Sequence, residues 1–106
     1  MTPAAVTVEL DALLGDYKGN EVAADAKYKG KRIRTTGLVG DIKKDILDRP
    51  YVTVGHGTDF EIPTVQCFLA PSHTGRAATL RKHQSITLTG KVDGLMMNVL
   101  MSNCTF

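Results

Sequence analysis

The apolar positions change their period along this chain, and the changes divide it into elements. From Val8 to Tyr17 they recur at helical spacing, with Leu10, Leu13, Leu14 and Tyr17 forming one stripe that seeks a core. Thr7 is the expected N-cap, although no Glu follows three residues later, so the capping box is incomplete. Gly15 and the Lys18-Gly19 pair weaken or end this helix. A second helical piece opens at Asn20, a favoured cap, with Val22, Ala23, Ala26 and Tyr28 as its small apolar face up to Gly30. Together the two pieces are expected to lie as a bent helix across one mouth of the fold that follows.

From Lys31 the pattern becomes that of strands. KRIRTTGLVGDI, Lys31 to Ile42, is rich in residues that fit a pleated, half-buried surface, and Gly37 and Gly40 interrupt it. Glycines inside a strand mark bulges, bends or close backbone approach. Two in one strand suit a strand that must coil through both halves of a barrel wall. Lys43 to Pro50 is polar, ends in proline and reads as a loop. Tyr51 to Val54 is the second strand, the turn-rich Gly55 to Pro63 follows, and Val65 to Leu69 is the third strand. Pro71 to Gly75 breaks it. Arg76 to Lys82 forms a short helix with Ala77, Ala78 and Leu80 near the core. Ile86 to Val92 is the fourth strand, with Ile86, Leu88 and Val92 inward and Thr87, Thr89 and Lys91 outward. Asp93-Gly94 is a tight-turn signal, and Met96 to Phe106 makes the last strand.

The order is helix, three strands, short helix, two strands. That order predicts a mainly β fold, an OB-fold-like five-stranded closed barrel with an N-terminal helix and a short helix between strands three and four. An open five-stranded α+β sheet would keep the elements without the closure. Residues 1–30 are the expected helical extension and 31–106 the barrel, one domain in all.

Longer motifs sharpen this picture. The string NEVAADAKYKGKRIRTTGLVGDI, Asn20 to Ile42, resembles the tRNA-anticodon-like OB family of bacteria. Val65-Gln66-Cys67-Phe68, Thr87-Leu88-Thr89-Gly90 and Cys104 match further features of that family, so the likeness runs from about Leu10 to Cys104. The resemblance implies an OB barrel and a nucleic-acid-binding domain, and it brings no catalytic residues. Members are often preceded by a lipoprotein signal or a membrane segment. This chain has no run of about 18 apolar residues, so it carries no membrane-spanning segment. Its start, MTPAAVTVEL, lacks a secretory n-region, so the expectation is a cytoplasmic protein or an exported one with its signal removed.

Charge is uneven. The formal net charge is +2, yet residues 1–28 hold five acids against Lys18 and Lys27, leaving eleven Lys/Arg against six Asp/Glu on the rest. That excess favours an anionic partner. OB barrels bind oligonucleotides and oligosaccharides on strands two and three and on neighbouring loops. Mapped here, the loop offers Lys43, Lys44 and Arg49. Alternation points Tyr51, Thr53, Gln66 and Phe68 outward, and Lys91 extends the basic surface. Outward aromatics among cations suit single-stranded nucleic acid, bases stacking while the backbone follows the charges. Arg32 and Arg34 are read as protection of a strand edge.

Other chemistry is weaker. Cys67 and Cys104 fall on strands three and five, neighbours in an OB barrel, so a disulfide is geometrically open to them, as are two buried thiols. His56, His73 and His83 lack ligand spacing, and Ser72-His73 lacks a nucleophile elbow, so neither a metal site nor a cofactor nor an enzyme is expected. The last strand holds Met97, Val99 and Met101. Its apolar run exceeds what one face buries, so protein contact or self-association, in a cell-envelope context, is the alternative function.

Overall fold

The computed structural model describes residues 5–106. In chain order it contains β1 (Val6–Thr7), α1 (Leu10–Gly19), α2 (Glu21–Tyr28), β2 (Arg32–Lys44), β3 (Pro50–Gly55) and β4 (Val65–Leu69). A 3-10 helix (Pro71–Thr79), β5 (Ser85–Met96) and β6 (Asn98–Thr105) complete it. Five of the strands close into an OB-type barrel. Its ladder runs β2-β3-β4-β6-β5, and β5 returns to pair with β2.

Closure rests on the length of β2. Residues Arg32 to Leu38 pair antiparallel with β5, and Leu38 to Lys44 pair with β3. One strand therefore serves two walls, and the register slips between Val39 and Ile42, where the chain bends. Gly37 and Gly40 are needed for space. A Cβ at Gly37 would come within 2.6 Å of Val54 and 2.9 Å of Leu10, and one at Gly40 within 2.7 Å of the Thr53 hydroxyl. The closing seam is the parallel β4–β6 pair, stapled by a disulfide between Cys67 and Cys104. Ile33, Val39, Val52, Val54, Val65, Leu88, Val92, Val99 and Met101 fill the interior.

The helices differ from the sequence expectation in detail. Thr7 does not cap α1; it lies in β1, which pairs parallel with Ile33 and Arg34, and Glu9 precedes the helix without a side-chain cap. Gly15 is exposed and leaves α1 intact, because a lone glycine costs only about 1 kcal/mol against the burial of Leu10, Leu13, Leu14 and Tyr17. Asn20 does cap α2, its side chain accepting the Ala23 N–H at 3.0 Å. The buried face of α2 is Ala24 and Tyr28, whereas Val22, Ala23 and Ala26 are exposed. The helices are tied reciprocally: the Tyr17 hydroxyl donates to Asp25 at 2.9 Å and the Tyr28 hydroxyl donates to Asp16. Burial first, and then the Asp25 carboxylate, push the Tyr17 phenol well above its ordinary value, so it remains a donor.

Two turns also moved. The helix between β4 and β5 begins at Pro71 rather than Arg76 and is of 3-10 type; Ala77 and Leu80 point inward but Ala78 does not. Asp93-Gly94 is not the last hairpin. The β5–β6 register slips there, with Gly94 at φ +125°, and the strand continues to Met96 before turning at Met97.

Candidate functional site

Alternation along β3 and β4 decides which residues reach the outer surface. Val52 pairs with Cys67 and Val54 with Val65 on the inside, so Tyr51 opposite Phe68 and Thr53 opposite Gln66 face out. Tyr51 and Phe68 are half-buried, their ring centroids 5.5 Å apart, and the Arg49 guanidinium lies 4.8 Å over the Phe68 ring. The Arg49–Phe68 stack, with the Tyr51 ring beside it and tilted by 58° to Phe68, stands where the β2–β3 loop meets the sheet.

That loop is held by one carboxylate. Asp45 accepts the backbone N–H groups of Leu47 and Arg49, each at 2.9 Å, and the Arg49 Nε at 2.7 Å. These donors, the Arg49 backbone N–H foremost, keep its carboxyl below the usual range. The turn aims Arg49 back over Phe68 and leaves Ile46 and Leu47 projecting into solvent, 101% and 69% exposed. Lys44 pairs with Asp48 at 3.3 Å. Lys43 has no carboxylate within ion-pair distance among the described residues.

The structure gathers only part of the expected set. Arg49, Tyr51 and Phe68 form the stack, with Lys43 and Lys44 on the adjoining end of β2. Thr53 faces outward but is only 8% exposed, because the bulge of β2 folds over it and its hydroxyl oxygen accepts the Asp41 N–H at 2.7 Å. Gln66 accepts from the Asn98 side chain at 3.2 Å. Lys91 stands on β5, opposite Arg32 and Ser102, on the wall formed with β2 and β6. The expected protein-contact set needs correction. Val99 and Met101 are fully buried core residues, and only Met97, at the turn with Met96, is exposed. The turn at Met97 is the reason: it sits outside the alternation that sends Val99 and Met101 inward.

A second feature was not anticipated. The segment between β3 and β4 walls a cleft of about 490 Å³ on the outer face, where Lys43, Thr53, Phe60, Ile62, His83 and Met97 converge. His56 anchors this segment to α1. One ring nitrogen faces Asp11 and the other faces Glu61, while Glu61 also accepts the His56 backbone N–H at 2.7 Å. Two ionised carboxylates can only accept, so both contacts require the imidazolium. Asp11 first, then Glu61, raise the His56 pKa above its ordinary value. Phe60 and Ile62 within a turn-rich segment were the available signal for the cleft; the Asp11–His56 contact spans 45 residues and left none.

The tRNA_anti-like family model matches residues 2–105. The chain belongs to the tRNA_anti-like family. Among solved structures, this tRNA_anti-like domain is similar to a protein from Klebsiella pneumoniae subsp. pneumoniae MGH 78578 named as a "putative nucleic acid-binding lipoprotein". The TM-score is 0.76, at 18% identity over 98% of each chain. At that identity the likeness is one of fold. No curated protein matches the sequence significantly.

Proposed function

We propose that this domain binds single-stranded nucleic acid across the outer face of β3 and β4. The observation that carries the reading is the Arg49–Phe68 stack with the tilted Tyr51 ring beside it, an outward aromatic surface on adjacent strands of an OB barrel, held by the Asp45-pinned loop. Membership of the tRNA_anti-like family and the name of the Klebsiella protein support it. Stacking carries more of the affinity than charge does in this reading. Lys44 and Arg49 are already paired with carboxylates, which leaves Lys43 as the main phosphate contact.

The test is fluorescence anisotropy of a labelled oligothymidylate over a range of salt. With one or two phosphates neutralised, log K should fall with log salt at a slope of about −0.7 to −1.4. Phe68→Ala and Tyr51→Ala should each weaken binding by about 1–3 kcal/mol. Absence of binding at low ionic strength would end the proposal.

Self-association is the second reading, favoured by the exposed Ile46, Leu47, Met96 and Met97 at two hairpin tips. Light scattering on the eluting species tests it, and a monomer at high concentration would dismiss it. As for location, no helix among the described residues is long and apolar enough to cross a membrane. The Cys67–Cys104 disulfide fits an oxidising compartment, so we favour an exported protein.

A further inference from the structure

Phe60 bears two costs at once. Its side chain is 99% exposed, and its backbone lies at φ +60°, a region that bulky residues avoid. Neither burial nor a structural hydrogen bond of its side chain offsets them. Ile62 and Met97, 59% and 72% exposed, stand around the same cleft, so apolar surface is gathered there rather than scattered. The segment that carries Phe60 does not hang free, because the His56 imidazolium fastens it to Asp11 of α1 and to Glu61. Strain and exposure at a position fixed by its surroundings point to a ligand contact.

We infer that the cleft between the β2–β3 surface and residues 56–63 is a nucleobase pocket in which the Phe60 ring stacks on the base. This rests on the nucleic-acid reading and extends it to a second subsite, since none of Arg49, Tyr51 and Phe68 lines the cleft. The chemistry of the walls selects the ligand. Phe60 and Met97 supply flat, polarisable surface. The Thr53 hydroxyl, whose oxygen accepts from Asp41, keeps its proton to donate, and the Asp41 carboxylate can accept from an exocyclic amine. Lys43 is placed for the phosphate. Lys82 is engaged with Asp59 at 3.7 Å. A cleft of about 490 Å³ is within the range of small-ligand sites. Thr53 lies two residues from Tyr51 on the same face of β3, roughly 6.6 Å along the strand, so a chain leaving the stack meets this pocket next.

Adenosine monophosphate is the probe, titrated into isotopically labelled protein and followed by nuclear magnetic resonance. Saturable shifts are expected at the amides of Gly57, Thr58, Phe60 and His83. Phe60→Ala should weaken that binding about fivefold to a hundredfold, and Phe60→Tyr should retain it. Both variants should melt with the wild type, because the ring is outside the core. Unmoved cleft resonances, or Phe60→Ala binding as wild type, would overturn the inference. The oligothymidylate arm separates the two claims. Oligothymidylate binding with a cleft silent to adenosine monophosphate removes this pocket and leaves the nucleic-acid reading. Cleft shifts with adenosine monophosphate but no oligothymidylate binding keep the pocket as a mononucleotide site and retire the single-strand reading.

Discussion

Reducing the Cys67–Cys104 disulfide should cost this domain much of its stability. The two residues are 37 apart in sequence, and both are fully buried at the β4–β6 seam. In the chain-entropy account, a closed loop of that length removes about 13 cal/mol/K from the unfolded ensemble, or about 4 kcal/mol at 25 °C. Domains of this size have only about 5–15 kcal/mol in total. With about 2.1 cal/mol/K of unfolding entropy per residue over 106 residues, the loss corresponds to a fall in Tm of about 18 °C. The assay is urea unfolding followed by circular dichroism, with and without a phosphine reductant, with mass spectrometry after alkylation reporting the thiols. Alkylation should appear only after reduction. If the thiols are demonstrably reduced and the stability moves by less than about 1 kcal/mol, the seam holds without its covalent link. The stapling role given above to Cys67–Cys104 would then be wrong.

Two glycines should respond in opposite directions to alanine. Gly90→Ala places a Cβ 2.6 Å from the Cys104 sulfur, which the disulfide holds in place, and should destabilise by about 1–3 kcal/mol. Gly15→Ala meets nothing within 4 Å on an exposed helical face and should stabilise by about 0.5–1 kcal/mol, so a shared sign in thermal melts would contradict the packing described. His56 should make stability depend on pH. Its folded pKa is raised above the ordinary 6.5 by Asp11 and Glu61, so its contribution is complete below pH 6.5 and is lost as pH rises through the folded value. A resonance titration of the His56 ring should show the upward shift, and His56→Gln should abolish that part of the pH dependence of Tm.

How far the sequence carried depends on whether the information was local. The stripe Leu10, Leu13, Leu14 and Tyr17 is legible because helical spacing is repeated within ten residues, and all four are buried. The alternation of Val52 and Val54 with Tyr51, or of Val65, Cys67 and Leu69 with Phe68, is equally local, and it sorts inner from outer residues. Strand β1 was illegible: two exposed residues carry no period, and their partners Ile33 and Arg34 lie far along the chain. In α2, three small alanines and Val22 could not fix a face, which Tyr28 settles through Asp16. Asp93-Gly94 looked like a turn because the residue types that suit turns also suit a bulge. Gly94 uses its left-handed backbone inside the strand, while the turn falls to Met97, a residue no turn preference would choose.

The candidate site divides in the same way, and the division explains why its two halves differ in legibility. The stack is built from one hairpin and its neighbour, and Asp45 and Arg49, which fix it, are four residues apart. The cleft's wall is tied to α1 by the contact between His56 and Asp11, which are 45 residues apart. Yet both share one device: a carboxylate that gathers backbone and side-chain donors, Asp45 in the first and Glu61 in the second. Each fixes its loop in the free domain, whereas ordering a loop on binding costs about 0.5–1.5 kcal/mol for every side chain immobilised. Because most cations on this face are already paired, little long-range attraction remains to offset such a cost. On the proposed reading, pre-ordered loops would therefore matter more here than on a strongly basic barrel, and the Arg49–Phe68 stack and Lys43 would carry the ligand.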